Sequence, residues 1–155
     1  DRSFHEATRY GFDLACCMCD LDHYKHFNDS LGHQEGDRLL QAAAEIVRLS
    51  LRASDIAARY GGDEFVLLLP HTSLDRAMSV ADRIREELQA CTIRYEGLEH
   101  EVTVSIGVAS LPADRPTSAD ALVSLADRAL YEAKARGRNR VVAFSHLSAC
   151  QTAAS

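Results

Sequence analysis

Two acidic side chains close an apolar segment near the start of the chain. Asp20 and Asp22 end the run LACCMCDLD and are separated by one residue. On an extended backbone such residues point to the same side, so both carboxylates can reach one hard divalent cation. A solvated strand end that leads into a turn would explain the same pair without a metal. Lys25, three residues further on, adds a point charge suited to a phosphate group.

A second acidic pair lies at a glycine turn. In the run RYGGDEF, Gly61 and Gly62 permit a tight turn and the close approach of a ligand, and Asp63 and Glu64 follow at once. If this turn lies beside the strand that ends at Asp20, then Asp20 and Asp63 can bridge one or two Mg²⁺ ions. Metal ions placed in this way hold the attacking and leaving oxygens of a phosphoryl transfer. A solvent-exposed hairpin without a function is the alternative.

Basic residues cluster in the run AKARGRNR. Lys134 and Arg138 are four residues apart, so they share one face if a helix continues through them. From that face they could contact a triphosphate on the side opposite to the metal ions. Cations near a helix C-terminus also complement the helix dipole, so the end of a helix accounts for part of this run.

Helices that would position these residues follow from hydrophobic periodicity. Apolar residues at helical spacing predict helices over residues 36–51 and 74–89. A third helix is predicted to begin at a cap formed by Thr117 or Ser118 and to end at Gly137.

Strands are predicted between these helices. Short apolar runs indicate strands over residues 12–19, 56–60, 65–69 and 141–144. The second and third of them flank Gly61 and Gly62 and form a hairpin, and a further hairpin pairs CTIRY with EVTVSIGVAS. This mixture predicts an α/β or α+β sandwich, in which helices flank one central, largely antiparallel sheet.

Length and composition describe one ordinary soluble domain. The chain has 155 residues, of which 46% are hydrophobic and 26% charged, and a net charge of −6. The longest apolar run, residues 65–69, is far shorter than the ~20 residues that span a bilayer. The acidic balance argues against a nucleic-acid polymer as partner, because such a partner needs a basic face. A small phosphorylated ligand needs only a few local cations.

The cysteines indicate a reducing compartment. Cys16, Cys17 and Cys19 are three of five cysteines, an odd number, and they crowd into one predicted strand. Because successive side chains on a strand point to opposite faces, Cys16 and Cys17 diverge instead of sharing a zinc ion. We therefore expect buried, inert thiols here.

Four blocks of sequence together resemble one known family. DLDHYKHFNDSLGHQEGD, RYGGDEF, TVSIGVA and ALYEAKARGRNR occur in this order between residues 20 and 140 and are similar to a GGDEF domain, the diguanylate cyclase family, with a resemblance that covers residues 4–144. The resemblance implies a bacterial signalling enzyme with a fold akin to nucleotide-cyclase and polymerase palm domains. Members condense two GTP molecules into cyclic di-GMP with release of two pyrophosphates. Each protomer of a homodimer presents one GTP to the other.

The same resemblance assigns catalytic and metal-binding roles. It makes Asp20 and Asp63 the carboxylates that bind Mg²⁺, or Mn²⁺ in its place, together with the carbonyl of Leu21. Glu64 matches the acidic position that activates the ribose 3′-hydroxyl or assists the metals. Lys25 matches a catalytic contact to the phosphates.

Substrate contacts are carried over in the same way. Asn28 and Asp37 match the guanine readers, and an Asp can accept hydrogen bonds from guanine that adenine does not offer, which disfavours ATP as substrate. Without the resemblance, Asn28 would shape a turn and Asp37 would cap the helix that starts near residue 36. The phosphates are expected to contact Lys25, Lys134, Arg138 and the main-chain N–H groups around His23 and Tyr24.

A regulatory site is also implied by the resemblance. Arg52 and Asp55 form an RxxD motif at the distance before RYGGDEF where the family's inhibitory product site lies. Arg83, from the following helix, matches a secondary arginine of that site. A surface ion pair between Arg52 and Asp55 is the alternative, since an RxxD motif is common by chance.

The expected organisation is a GGDEF domain over residues 1–146 and a C-terminal tail over 147–155. The domain begins after the family's usual first segment, so we expect it to be trimmed. An N-terminal sensor or receiver domain in the parent protein would bring two active sites together. The expected location is cytoplasmic, without membrane contact by this domain, although the parent protein can carry a membrane anchor. A GTP- or cyclic di-GMP-binding regulatory module with little turnover is the alternative function.

Overall fold

The fold is built on a five-stranded sheet with helices on both faces. The computed structural model describes residues 2–147, so the predicted tail lies outside the described residues from 148 onward. Along the chain the elements are α1 Arg2–Tyr10, β1 Leu14–Leu21, α2 Tyr24–Leu31, α3 His33–Ser50, β2 Ile56–Arg59, β3 Glu64–Pro70, α4 Leu74–Ala90, β4 Thr92–Tyr95, β5 Leu98–Glu101, β6 Val104–Leu111, α5 Ala119–Ala135 and β7 Val141–Ala143.

The sheet is antiparallel except at one edge. Its strand order is β2-β3-β1-β6-β7, and only the pair of β6 and β7 is parallel among these neighbours. The expectation of a central, mostly antiparallel sheet flanked by helices is confirmed. β1 lies in the centre and is buried along its whole length, which explains its continuous apolar sequence.

Each face of the sheet has its own core. On one face Cys17 and Cys19 pack with α3 and α4, and on the other Cys16 and Met18 pack with α1 and α5. The predicted divergence of Cys16 and Cys17 and the predicted burial of the three thiols are both confirmed. Burial raises the pKa of the Cys16 thiol to about 12, so these cysteines are small core residues in this fold.

One glycine lets a helix touch the sheet directly. A Cβ atom at Gly107, in β6, would overlap the carbonyl oxygen of Ala126 and the amide nitrogen of Leu130 in α5. α5 therefore packs with its backbone against the strand. Its start is fixed by Ser118, whose hydroxyl accepts a hydrogen bond from the amide of Ala121 over 3.0 Å, as predicted for a cap.

Some predictions about the elements are wrong. β4 pairs with β5 in a separate two-stranded sheet, whereas β6 joins the main sheet, so the predicted hairpin between CTIRY and EVTVSIGVAS does not form. The sequence analysis also missed α1 and α2, and α3 begins three residues earlier than predicted. Within residues 2–147, no helix combines the length and the apolar character that a membrane span requires.

Candidate active site

The candidate site forms where β1 meets the signature hairpin. Asp20 lies opposite Glu64 in the register of β1 and β3, and the amide of Leu21 donates to the carbonyl oxygen of Asp63 over 3.3 Å. Asp20 is only 9% exposed. Burial raises the pKa of the Asp20 carboxyl; Lys134 opposes this increase, and the charges of Asp63 and Glu64 add to it. The three carboxylates thus interact at one end of the sheet.

A lysine from the last helix completes this cluster. Nζ of Lys134 lies 2.9 Å from Oδ2 of Asp20. The prediction that Lys134 and Arg138 share a helical face is wrong, because α5 ends at Ala135 and Arg138 has a positive φ of 62°. Arg138 is exposed in the turn that follows. Lys134 and Arg138 therefore lie on backbone of different conformation, the first in a helix and the second in a left-handed turn.

The predicted guanine readers lie on neighbouring helices. Oδ1 of Asn28, in α2, is buried without a hydrogen-bond partner. It lies against Gly36 in α3, where a Cβ atom would overlap it, and Asp37 is the next residue along α3. The Tyr24 hydroxyl lies beside Asn28 at Gly36; burial raises the pKa of Tyr24, and the charge of Asp37 raises it further. Because a buried acceptor without a donor is costly, Asn28 is suited to receive one from a ligand.

The simpler explanations for these two residues fail. Asp37 is exposed inside α3 and does not cap it, because α3 begins at His33 and its N-cap is Gly32. Asn28 belongs to α2 and not to a turn. Asn28 therefore does not shape a turn and Asp37 does not cap a helix, so these local structural roles do not account for either side chain.

Along the chain, a helix N-terminus lies between Asp20 and the predicted guanine readers. His23 is the N-cap of α2 and adopts a left-handed conformation with φ of 59°. The amide groups of the first helical turn, which includes Tyr24 and the exposed Lys25, have no partners within a helix and favour anions. The structure thus places the main-chain groups predicted to bind phosphate next to the strand end.

Asp22 has a different role from Asp20. Its carboxylate accepts hydrogen bonds from Oγ1 of Thr103 and Oγ of Ser105, both at 2.7 Å, and from the amide of Asn139 at 3.0 Å. The interpretation of Asp20 and Asp22 as one cation-binding pair is therefore wrong, because three protein donors engage Asp22.

The RxxD motif lies away from this cluster, in the turn between α3 and β2. The backbone amide of Arg52 donates to Oδ2 of Asp55 over 2.8 Å, and the ion pairs seen within residues 2–147 do not join the two side chains. The alternative interpretation, a surface ion pair between the side chains of Arg52 and Asp55, is therefore wrong. Arg83, in α4, donates to the carbonyl oxygen of Ser50 over 2.6 Å.

Two cavities adjoin the motif. A cavity of about 240 Å³ is lined by Arg52, Asp55 and Arg83, and also by Arg76, so the structure brings the three predicted inhibitory-site residues to one depression. A larger groove of about 820 Å³ follows α3 from Asp37 to Arg52 and Asp55. The guanine reader on α3 and the RxxD turn thus line opposite parts of one continuous surface.

The donor set at the strand end suits magnesium. Within residues 2–147, no group of three or more His, Cys, Asp or Glu side chains is arranged to hold a metal ion. The carboxylates of Asp20 and Asp63 and the carbonyl of Leu21 form a smaller, all-oxygen set. Mg²⁺ is often bound by one or two carboxylates and completes its shell with water and substrate phosphates, and Mn²⁺ accepts the same donors. The contact with Lys134 shows that Asp20 attracts a cation.

A match to a protein-family model shows which family the chain belongs to. Residues 1–140 match the family described as diguanylate cyclase, GGDEF domain. The chain belongs to the GGDEF family. This GGDEF domain is 47% identical over 128 residues to diguanylate cyclase A of Treponema denticola and 45% identical over 131 residues to diguanylate cyclase DgcM of Escherichia coli. These matches cover 83% and 84% of the chain but 34% and 31% of the relatives, so the chain spans about a third of their length.

Solved structures agree with this assignment. The GGDEF domain of DgcB from Caulobacter crescentus, in complex with c-di-GMP, superposes with a TM-score of 0.88 at 33% identity and covers 93% of this chain and 85% of that one. The active GGEEF domain of a Vibrio cholerae diguanylate cyclase has a TM-score of 0.85 at 30% identity and covers 92% and 90%.

Three features of this GGDEF domain were missed by the sequence analysis. They are the Tyr24 side chain between Asn28 and Asp37, the network around Asp22, and the need for glycine at position 36. Glycine in an apolar helical pattern does signal close packing, so Gly36 carried a usable clue. The other two depend on contacts between distant parts of the chain and had no local signal.

Proposed function

We propose that this GGDEF domain condenses two GTP molecules into cyclic di-GMP and releases two pyrophosphates. The main support is that Tyr24 lies close both to the predicted guanine readers, Asn28 and Asp37, and to the predicted metal ligand Asp63. Tyr24 connects them, since its hydroxyl lies beside Asn28 at Gly36 and the charges of Asp37 and Asp63 both raise its pKa. A cyclase of this type needs a base site and a phosphoryl-transfer site that one nucleotide can occupy together.

Each residue has a defined task in this reaction. Mg²⁺ bound by Asp20, Asp63 and the Leu21 carbonyl would supply positive charge to the phosphate oxygens. Glu64 would accept the proton of the ribose 3′-hydroxyl as the hydroxyl oxygen attacks the α-phosphorus. The bond from the α-phosphorus to the bridging oxygen then breaks, and pyrophosphate leaves.

The remaining cations would bind the polyphosphate. Lys25 and the N-terminal amides of α2, around His23 and Tyr24, would contact it from one side, and Lys134 and Arg138 from the other. These groups neutralise charge on the leaving pyrophosphate. Asn28 and Asp37 would select guanine, because Asp accepts hydrogen bonds from N1–H and the exocyclic amine.

Two chains are required by the stoichiometry. Cyclic di-GMP contains two phosphodiester bonds, and each chain offers one set of site residues, so a homodimer with facing sites makes both bonds. We infer that a sensor or receiver domain N-terminal to this domain in the parent protein controls the approach of the two sites. The GTP supply places the reaction in the cytoplasm.

The reaction is tested with the domain fused to a dimerising coiled coil. Incubation with GTP and Mg²⁺ should yield cyclic di-GMP and pyrophosphate in a ratio of one to two, measured by chromatography, and ATP as sole substrate should yield no cyclic dinucleotide. Asp63→Asn should remove turnover while the thermal unfolding curve stays close to that of the parent. A folded fusion that binds GTP but forms no product would contradict the proposal.

The cavity near Arg52 supports a second function as a cyclic di-GMP-binding regulatory site. Arg52, Asp55 and Arg83 line it together, and guanidinium groups can bind both phosphate and the guanine base. Titration calorimetry should show that Arg52→Ala loses cyclic di-GMP affinity and retains GTP affinity. If Arg52→Ala binds cyclic di-GMP as the parent does, this regulatory site is refuted while the cyclase reaction stands.

A further inference from the structure

Asp22 is the centre of a buried polar network. It is 9% exposed, and its two carboxylate oxygens accept three hydrogen bonds. Its own backbone amide donates to the carbonyl oxygen of Thr103 over 2.8 Å. A carboxylate has about four acceptor positions, so nearly all the acceptor capacity of Asp22 is engaged within the protein.

The network connects three separate parts of the chain. Asp22 follows β1, Thr103 and Ser105 lie at the start of β6, and Asn139 lies in the turn after α5. The last connection differs from the other two because it ends on a backbone amide. The carboxylate of Asp22 therefore holds the backbone of that turn whatever the side chain at 139 does. The turn is also held by the Arg138 amide, which donates to the carbonyl oxygen of Ala133, and by the Arg140 carbonyl oxygen, which accepts from the amide of Ile106.

The turn needs such an anchor. Gly137, Arg138 and Asn139 have positive φ values of 109°, 62° and 45°, and left-handed backbone is unfavourable for Arg138, whereas glycine and asparagine tolerate it. Arg85 of α4 also approaches Asn139, with Nη1 3.4 Å from Oδ1, but that geometry is near the limit for a hydrogen bond. The bond from the Asn139 amide to Asp22 is the shorter of the two.

We propose that Asp22 is a positioning residue that fixes the turn of residues 137–140 so that Arg138 faces the triphosphate. The inference rests on the proposed phosphate contact of Arg138. In this role Asp22 acts as a hydrogen-bond acceptor and not as a ligand of the metal ion. An Asn side chain can fill the role: its oxygen can accept from the Asn139 amide and Thr103, and its NH₂ group can donate to the Ser105 hydroxyl.

The test measures GTP binding by calorimetry without divalent metal, so that metal ligation does not contribute. Asp22→Ala and Arg138→Ala should each weaken binding by about tenfold or more, the size of one charge-assisted hydrogen bond. The double variant should be no more than about twofold weaker than either single variant, because both remove the same contact. Asp22→Asn should retain most of the affinity, and should retain turnover with Mg²⁺ where Asp20→Asn does not.

A second readout does not depend on GTP. Hydrogen exchange at the Asn139 amide should be slow in the parent and in Asp22→Asn and fast in Asp22→Ala. If Asp22→Ala fails to fold, Thr103→Val, which keeps the side-chain shape, removes one anchor of the carboxylate and should weaken metal-free GTP binding by a smaller factor.

The outcomes separate the two proposals. If Arg138→Ala leaves GTP binding unchanged, the phosphate contact is refuted and the inference falls with it. If Arg138→Ala weakens binding but the losses in the double variant multiply, only the link through Asp22 is overturned. Loss of turnover in Asp22→Asn equal to that in Asp20→Asn would identify Asp22 as a metal ligand and would also overturn the inference.

Discussion

The strand end at Asp20 and the turn at Arg52–Asp55 both combine acidic and basic residues, but they are built differently. Asp20 is buried in the central strand, and its cationic partner Lys134 comes from the last helix. Asp55 is held by the backbone amide of Arg52, three residues away, and Arg52 is exposed. The first arrangement needs the whole fold, whereas the second needs only one turn.

This difference indicates how each region responds to change. Groups at the strand end are fixed before a ligand arrives, and such preorganised charges are what stabilise a transition state. The groups of the RxxD turn lie at the surface, where a ligand can engage them without disturbing the core. We therefore expect substitutions at the strand end to affect chemistry and substitutions at the turn to affect regulation.

The largest effect is expected from Asp20→Asn, and the equally isosteric change Asp55→Asn provides the comparison. Asp20→Asn should lower turnover by about 10³-fold or more, because a bound metal contributes several kcal/mol and each 1.36 kcal/mol is tenfold. Asp55→Asn should cost less than about tenfold. Initial rates of pyrophosphate release on the dimerised domain measure both. Equal losses in the two variants would show that the regions are not functionally distinct.

Gly36→Ala should have the next largest effect. The new Cβ atom would overlap Oδ1 of Asn28, so Asn28 must move, and GTP affinity should fall by about tenfold or more, which is the loss of one good hydrogen bond to a buried group. Calorimetry measures the affinity. The double variant Asn28→Ala/Gly36→Ala removes the overlap, so it should recover thermal stability without recovering GTP binding. Parent-like GTP binding by Gly36→Ala would contradict the assigned base site.

Acidification should reduce turnover through Asp20. Because burial raises the pKa of this carboxyl, Asp20 takes up its proton at a higher pH than an ordinary aspartate and then binds metal less well. At subsaturating Mg²⁺, turnover should fall as the pH is lowered, and more Mg²⁺ should move the fall to lower pH, since metal and proton compete. A pH profile that does not change with Mg²⁺ concentration would refute this.

The thermal stability of the domain should not fall together with turnover as the pH is lowered. A carboxyl whose pKa is higher in the folded than in the unfolded state binds more protons when folded, so acidification through that pKa favours folding. Protonation of Asp20 therefore does not destabilise the folded domain in the pH range where it lowers turnover. Thermal melts recorded beside the rates provide this control.

The smallest effect is expected from alkylation of the three cysteines in β1, the strand that contains Asp20. Cys16, Cys17 and Cys19 are at most 1% exposed, and burial raises the pKa of all three thiols. Iodoacetamide should leave them unmodified in the folded domain, and turnover should change by less than about twofold. Mass spectrometry of the peptides, with a denatured sample as control, measures this. Rapid native modification of Cys17 would show that β1 is more accessible than its packing implies.

Sequence patterns predicted the main elements well because each had its own local signal. The alternation of Cys16 and Cys17, the cap at Ser118 and the glycine hairpin before Glu64 depend on neighbouring residues, and the structure has all three. The predicted pairing of CTIRY with β6 failed because β6 is also a central strand of the main sheet, and local apolarity does not distinguish these partners.

The candidate site was predicted less completely than the fold. Asp20 and Asp63 occur in motifs, so both could be named from sequence, whereas the contact of Lys134 with Asp20 joins opposite ends of the chain. The expected helical face of Lys134 and Arg138 was wrong because α5 ends at Ala135 and the chain then turns left-handed. Spacing along a sequence does not give the point at which a helix stops.

The contact at Gly107 limits how this domain can be switched. Since the backbone of α5 touches β6 directly at Gly107, the helix cannot move closer to the strand at that point without a steric clash. Lys134 lies on that helix, so its backbone keeps a fixed position relative to the sheet. Any movement of α5 would therefore have to carry β6 and the predicted site with it as one rigid unit.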